Sequence, residues 1–150
     1  MTTPAFRRLL VPVDFSPCTP ASVDWAVKLA QPLGAAIELL YVSEVPLVLA
    51  GDGLVHGTRE MEELDVKQSR AKMEALVEEI RKRGIAECRG EVVTGYVLDV
   101  IAERALRGDC DLLVIGSHGR RGLSRFWMGS VAEQVVRRVP IPVLTVHPQK

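Results

Sequence analysis

Short apolar runs alternate with longer amphipathic stretches along this chain, and that alternation restricts the fold more than any other feature of the sequence. The runs are "RRLLVPVD" at 7–14, "AAIELLYV" at 35–42, "CRGEVVTG" at 88–95, "DLLVI" at 111–115 and "IPVLTV" at 141–146. They have strand length and are rich in branched side chains. The segments between them have helical spacing. "TPASVDWAVKLAQPLG" offers Thr19 as an N-cap and Pro20 at the first helical position, with Pro32 in the final turn and Gly34 past the end. Residues 59–83 put Met73, Leu76, Val77 and Ile80 on one face and stop at Gly84. "VLDVIAERALRG" repeats Leu98, Ile101, Ala102 and Ala105 before Gly108, and "SVAEQVVRRV" supplies a last helix. Such alternation predicts an α/β fold: a mostly parallel sheet, Rossmann-like, covered by helices on both faces through right-handed crossovers.

A chain of 150 residues has the size of one domain, 1–150, and buries about two thirds of its unfolded surface, so its core needs neither disulfide nor metal. Nineteen basic and nineteen acidic residues cancel, which removes an overall electrostatic case for nucleic acid or an anionic membrane as partner. Cys18, Cys88 and Cys110 are odd in number, widely spaced and without a C-x-x-C pair. They are expected as reduced, buried thiols of a cytoplasmic protein, not as a disulfide framework or zinc site. The first apolar run is too short and interrupted for a signal peptide, and no stretch approaches the ~20 apolar residues of a membrane span.

Residues 44–58, "EVPLVLAGDGLVHGT", carry three glycines and a proline and are expected to form a long, mobile surface loop. Within them "GDGLVHG" misses the dinucleotide fingerprint by one residue, His56 standing where the third glycine belongs. Glu60, Glu62, Glu63 and Asp65 crowd a helix N-terminus, where acids complement the dipole more readily than they collect a metal. Trp25 and Trp127 are read as packing residues, too few for a base-stacking platform.

The stretch "GSHGRRGLSRFWMGS", 116–130, has four glycines and three arginines, and it joins a buried strand to a helix. In open α/β sheets the ligand site lies beyond the carboxyl ends of the strands, where such loops diverge. A loop that enters a helix at Gly129 and Ser130 aims unpaired N–H groups and a positive helix end at an anion. Glycines at 116, 119 and 129 let the backbone approach it. Residues 116–138 hold five arginines, 120, 121, 125, 137 and 138, against the single acid Glu133, so this end of a neutral chain is basic. Phosphate is the guest that fits, although glycines can also serve only as turn residues and surface arginines only as solvated charges. No G-K-S or G-K-T occurs anywhere, so this is not a Walker A loop. Asp14 is read as a ribose or metal-linked contact in preference to a catalytic acid, and His118 as either a phosphate contact or an exposed loop histidine.

With "VPVDFS" near the start and "VAEQVVRRVPIPVLTV" at the end, the spacing G-x2-G-x9-G-[S/T] closely resembles the universal stress protein family, in its ATP-binding branch, from about residue 6 to 148. The resemblance implies a five-stranded parallel sheet in the order 3-2-1-4-5, with ATP where the first and fourth strands separate. It implies that Pro12, Val13 and Asp14 line the adenosine end, that Val42 bonds the adenine edge through its backbone, and that Gly116, Gly119, Arg120, Gly129, Ser130 and Val131 hold ribose and phosphates. It also implies a homodimer through the last strand, a sheet edge. Val97 stands where the family often has proline, and Trp127 is bulkier than the usual occupant of the loop.

The function expected is a nucleotide-binding stress-response regulator, with ATP and Mg2+ as ligand and an unidentified protein partner. No residue is assigned as catalytic or as a metal ligand. An adenine-nucleotide hydrolase or adenylating enzyme is the alternative, opposed by the lack of an evident general base. A module that has kept the fold without nucleotide is opposed by the intact glycine pattern.

Overall fold

The computed structural model describes residues 6–44, 47–118 and 129–148. Strands β1 (Arg8–Pro12), β2 (Ala36–Ser43), β5 (Cys88–Thr94), β6 (Leu112–Gly116) and β7 (Val143–Val146) form one sheet in the order β5-β2-β1-β6-β7. All its pairings are parallel. With these strands counted alone, this is the expected order 3-2-1-4-5. Two further strands, β3 (Leu47–Ala50) and β4 (Gly53–His56), pair antiparallel.

Side chains that alternate along the strands supply two separate cores. Leu9, Val11 and Val13, with Ile37, Leu39 and Tyr41, pack under helices α1 (Thr19–Leu33) and α2 (Arg59–Lys82). Leu10, Leu40, Val42, Leu113 and Ile115 pack under α3 (Val97–Leu106) and α4 (Ser130–Arg138). The helices therefore cover opposite faces, two on each. Alanines 21, 26 and 30 give α1 a small-residue face against the sheet. The three cysteines are buried thiols.

Helix ends follow their local chemistry. Gly34 ends α1 in the left-handed region at φ 61°, with Pro32 inside the last turn. Thr58 caps α2 by accepting from the Met61 N–H at 3.3 Å. At α3 the Val97 N–H donates to Glu44 Oε1 at 3.0 Å, a bond that proline at this position would lack.

Three expectations are corrected. Residues 47–56 form the β3–β4 hairpin, because Gly51 at φ 60° and Asp52 close a two-residue turn between Ala50 and Gly53. Cys18 occupies the N-cap of α1 and Thr19 is its first helical residue, the threonine hydroxyl turning back to Asp14. Trp25 is 44 % exposed with the Lys28 ammonium 5.1 Å from its ring centroid, so it is not a packing residue; Trp127 lies outside the described residues.

Candidate functional site

The strand order reverses between β1 and β6, and the carboxyl ends of those strands meet the first turns of α1 and α4. Past the end of β1 the Val13 N–H still donates to the Leu40 carbonyl at 2.9 Å, which holds the chain to the sheet for one more residue. Asp14 then makes the turn into α1: its Oδ1 accepts from the Ser16 N–H at 2.9 Å and from the Thr19 hydroxyl at 3.3 Å. These bonds fix the carboxylate at the mouth of the crevice. Between them Phe15 adopts φ 56°, a left-handed conformation costly for a bulky side chain. The Phe15 ring stacks on Tyr41 with centroids 5.3 Å apart, and the Lys72 ammonium lies 5.5 Å from the Phe15 centroid. Tyr41 in turn donates to Asp65 of α2, as does the Ser43 hydroxyl. Asp65 is thus a structural acceptor beneath the turn, while Glu60 and Glu62 occupy the first turn of α2 as dipole complements.

At the end of β6 the backbone is crowded. A β-carbon on Gly116 would lie 3.0 Å from Cys18 Cβ and 3.3 Å from Ser22 Oγ, so glycine here lets α1 sit close against the sheet. The Ser117 N–H donates to the Val146 carbonyl at 2.7 Å, and the Ser117 carbonyl accepts from the Gly129 N–H. The chain that departs after residue 118 therefore returns onto its own starting point. Gly129 is the N-cap of α4 and has no side chain with which to cap it. Ser130 is exposed and Val131 is 37 % exposed. Among the described residues no side chain caps the backbone N–H groups of this first turn, and such a helix start is an arrangement that receives an anion.

Three residues that pattern reasoning left without a role in the site meet here. Cys18 lies between the two strand ends: burial pushes its thiol pKa upward, a hydrogen bond with the His118 backbone pulls the other way, and the Asp14 charge adds to the rise. The Ser117 hydroxyl lies 2.8 Å from His118 Nδ1 and 3.0 Å from His147 Nδ1. His118 is 9 % exposed and its Nε2 is buried with no hydrogen-bond partner among the described residues. The histidine is therefore not the exposed loop residue that was one of its two readings. The sequence signal for this cluster is the "SH" directly after the β6 run and "H" directly after the β7 run, which parallel pairing brings side by side.

Of the expected site residues, Pro12, Val13, Asp14, Gly116, His118, Gly129, Ser130 and Val131 lie at these strand and helix ends. Val42 lies near the end of β2, past the last β1–β2 pair, Pro12 with Leu40. Its side chain is buried in the second core, leaving its backbone as the group available to a ligand. Gly119 and Arg120 lie outside the described residues, as do Arg121 and Arg125. Arg137 and Arg138 do not serve the crevice: they occupy the last turn of α4, paired with Glu133 at 3.0 Å and Asp99 at 3.3 Å. Among the described residues no group of three or more His, Cys, Asp or Glu side chains is placed to share a metal ion.

Comparison with known proteins agrees with this architecture. Residues 5–147 match the Universal stress protein family. A universal stress protein of Methanocaldococcus jannaschii is 29 % identical over 147 residues, covering 97 % of this chain and 84 % of that protein. Universal stress protein UspA from Lactobacillus plantarum superposes with a TM-score of 0.80 at 23 % identity, over 93 % of this chain and 97 % of that one. The universal stress protein from Archaeoglobus fulgidus in complex with dAMP superposes with a TM-score of 0.67 at 23 % identity, over 95 % and 98 %. With its parallel sheet, its strand order and nearly its whole length accounted for, this chain belongs to the universal stress protein family.

Proposed function

We propose that this protein binds ATP, with Mg2+, in the crevice beyond β1 and β6, and that nucleotide occupancy controls its conformation or its protein partners in a cytoplasmic stress response. The observation that carries this reading is the start of α4, a helix terminus with no side-chain cap among the described residues, closed onto Ser117 and facing the crevice that Asp14 enters from β1. An anionic guest suits this place on a further count: the buried His118 Nε2 has no partner among the described residues. The solved complex of the Archaeoglobus fulgidus relative with dAMP supports an adenine nucleotide as the guest.

In this reading Pro12, Val13 and Asp14 line the adenosine end and the Val42 backbone meets the adenine edge. Gly116, His118, Gly119, Arg120, Gly129, Ser130 and Val131 hold ribose and phosphates. Mg2+ enters with the phosphates, since among the described residues no cluster of His, Cys, Asp or Glu is placed to hold it. ATP is a ligand here more than a substrate. Backbone donors that hold ground state and transition state about equally lower a dissociation constant without speeding chemistry.

Titration calorimetry tests the reading. Charge-assisted bonds to phosphate contribute roughly 1.5–3 kcal/mol each, so Ser130→Ala weakens ATP binding about tenfold or more. Ser130 is exposed and is not the N-cap of α4, so its replacement leaves stability within about 0.5 kcal/mol. No heat from the wild type at millimolar ATP would refute the proposal.

A further inference from the structure

The Ser117 hydroxyl stands between two imidazole nitrogens of the same kind, His118 Nδ1 at 2.8 Å and His147 Nδ1 at 3.0 Å. A hydroxyl has one proton, so it donates to one Nδ1 and accepts from the other. In neutral rings this leaves two arrangements. In one, His118 carries its proton on Nδ1 and donates to Ser117, which donates to His147 Nδ1; His147 then holds its proton on Nε2. In the other every bond is reversed: His118 carries Nε2–H, Ser117 donates to His118 Nδ1, and His147 donates from Nδ1. The tautomer of one ring thereby dictates the tautomer of the other.

The two ends of this chain of bonds differ. His118 is 9 % exposed and its Nε2 has no hydrogen-bond partner among the described residues. Its Cα lies 3.4 Å from where a β-carbon on Gly129 would be, so it adjoins the start of α4. His147 is exposed and directly follows β7, the edge strand of the sheet.

We propose that Ser117 is a positioning residue that couples His118 to His147, so that an anionic ligand accepting from His118 Nε2 sets the hydrogen-bonding character of His147 at the sheet edge. The inference rests on the nucleotide reading above and adds its means of report. A phosphate oxygen accepts hydrogen bonds and does not donate them, so it selects Nε2–H on His118. In the rearrangement one proton enters at His118 Nε2 from water, the Nδ1 proton passes to Ser117 Oγ, the Ser117 proton passes to His147 Nδ1, and one proton leaves His147 Nε2 to water. Both rings stay neutral, and His147 exchanges an outward donor for an outward acceptor.

Long-range 1H–15N correlation spectra of histidine-labelled protein read the tautomers directly. Spectra are taken with no nucleotide, with Mg·ATP and with adenosine, and calorimetry is run on the same samples. Mg·ATP is expected to move His118 to the Nε2–H form and His147 to the Nδ1–H form together, and adenosine is expected to move neither. In Ser117→Ala, His118 still responds to Mg·ATP and the His147 response is lost. That variant removes one oxygen, and a melting curve reports whether it folds; the wild-type spectra decide the matter alone if it does not. Calorimetric binding with an unmoved His147 in the wild type overturns the coupling and leaves the nucleotide reading standing. A His147 response that persists in folded Ser117→Ala also overturns it. Absence of binding overturns both.

Discussion

Gly129 approaches Ser117 so closely that a β-carbon on the glycine would lie 2.9 Å from the Ser117 carbonyl oxygen, the same oxygen that accepts the Gly129 N–H. A backbone carbonyl cannot swing aside as a side chain does. Gly129→Ala is therefore expected to force the loop base apart, at a cost of about 1–3 kcal/mol. The first turn of α4 moves with it. Urea unfolding is expected to show the loss in stability and calorimetry a loss of ATP affinity, whereas Ser130→Ala loses affinity alone. Equal stability of Gly129→Ala and the wild type would contradict the close contact.

Arg104 of α3 joins two strands, with Glu38 of β2 at 2.7 Å and Glu91 of β5 as its carboxylate partners. Arg104 and Glu38 are only 15 % and 14 % exposed, and Glu91 is 47 % exposed. Arg104→Ala strands two carboxylates near each other. Breaking a buried pair costs about 3–5 kcal/mol, and the solvent at Glu91 reduces this to roughly 2–3 kcal/mol. Adding Glu38→Gln to that variant is expected to restore part of the loss, measured as the midpoint of urea unfolding.

Burial pushes the Cys88 and Cys110 thiols up from 9.0 to about 11, with Arg81 opposing at Cys88 and neighbouring acids adding at Cys110. Below pH 9 both the folded and unfolded chains keep these protons. Between pH 9 and about 11 the unfolded chain sheds protons that the native chain retains, so stability falls as pH rises through that window. Denaturation midpoints across it are expected to decline, less steeply in Cys88→Ala/Cys110→Ala. Iodoacetamide at pH 8 is expected to leave both thiols unmodified in native protein and to label them after unfolding.

The edge strand β7 leads to a prediction about assembly. Among the described residues no strand pairs with its outer side, and Pro140 and Pro142 limit ladder bonds only at its start. The homodimer that the family resemblance implies is expected to cover it across a two-fold axis centred near Leu144. Light scattering at tens of micromolar is expected to give twice the chain mass; one chain mass would argue against this interface.

Slow chemistry follows from the site as well. Hydrolysis is expected to stay well below the ~1 per second that marks a slow ordinary enzyme. Steady-state phosphate release by wild type, Asp14→Ala and Gly119→Val checks it. Turnover of several per second, abolished by both substitutions, would favour the hydrolase.

The centre of the sheet was legible because its three strands announce themselves: "LLV", "IELLYV" and "LLVI" supply both cores, and apolar runs of this kind mark parallel strands. The hairpin was not, because glycines 51, 53 and 57 read as loop composition. The signal was still present in Gly51-Asp52 flanked by "LVLA" and "GLVH", a two-residue turn between short apolar runs. Glycine spacing pointed to the loop between β6 and α4, of which Gly116 and Gly129 are described. It said nothing of Ser117 and His147, which are 30 residues apart and meet only because β6 and β7 run parallel in register. Charge counting overestimated the basic end, because a window of sequence ignores that α4 carries Arg137 and Arg138 to its far terminus and that Glu133 and Asp99 neutralise them there.

The sheet order also decides when the crevice comes into being during synthesis. β1, β2 and β5, with α1 and α2, are all complete by Thr94, so one half of the sheet can assemble as the chain emerges. Until residues 112–116 follow, the side of β1 that will receive β6 is an open ribbon of unpaired backbone with apolar side chains above and below. During the interval between these two halves that edge is open to mispairing, and it closes at the same seam that later becomes the floor of the crevice.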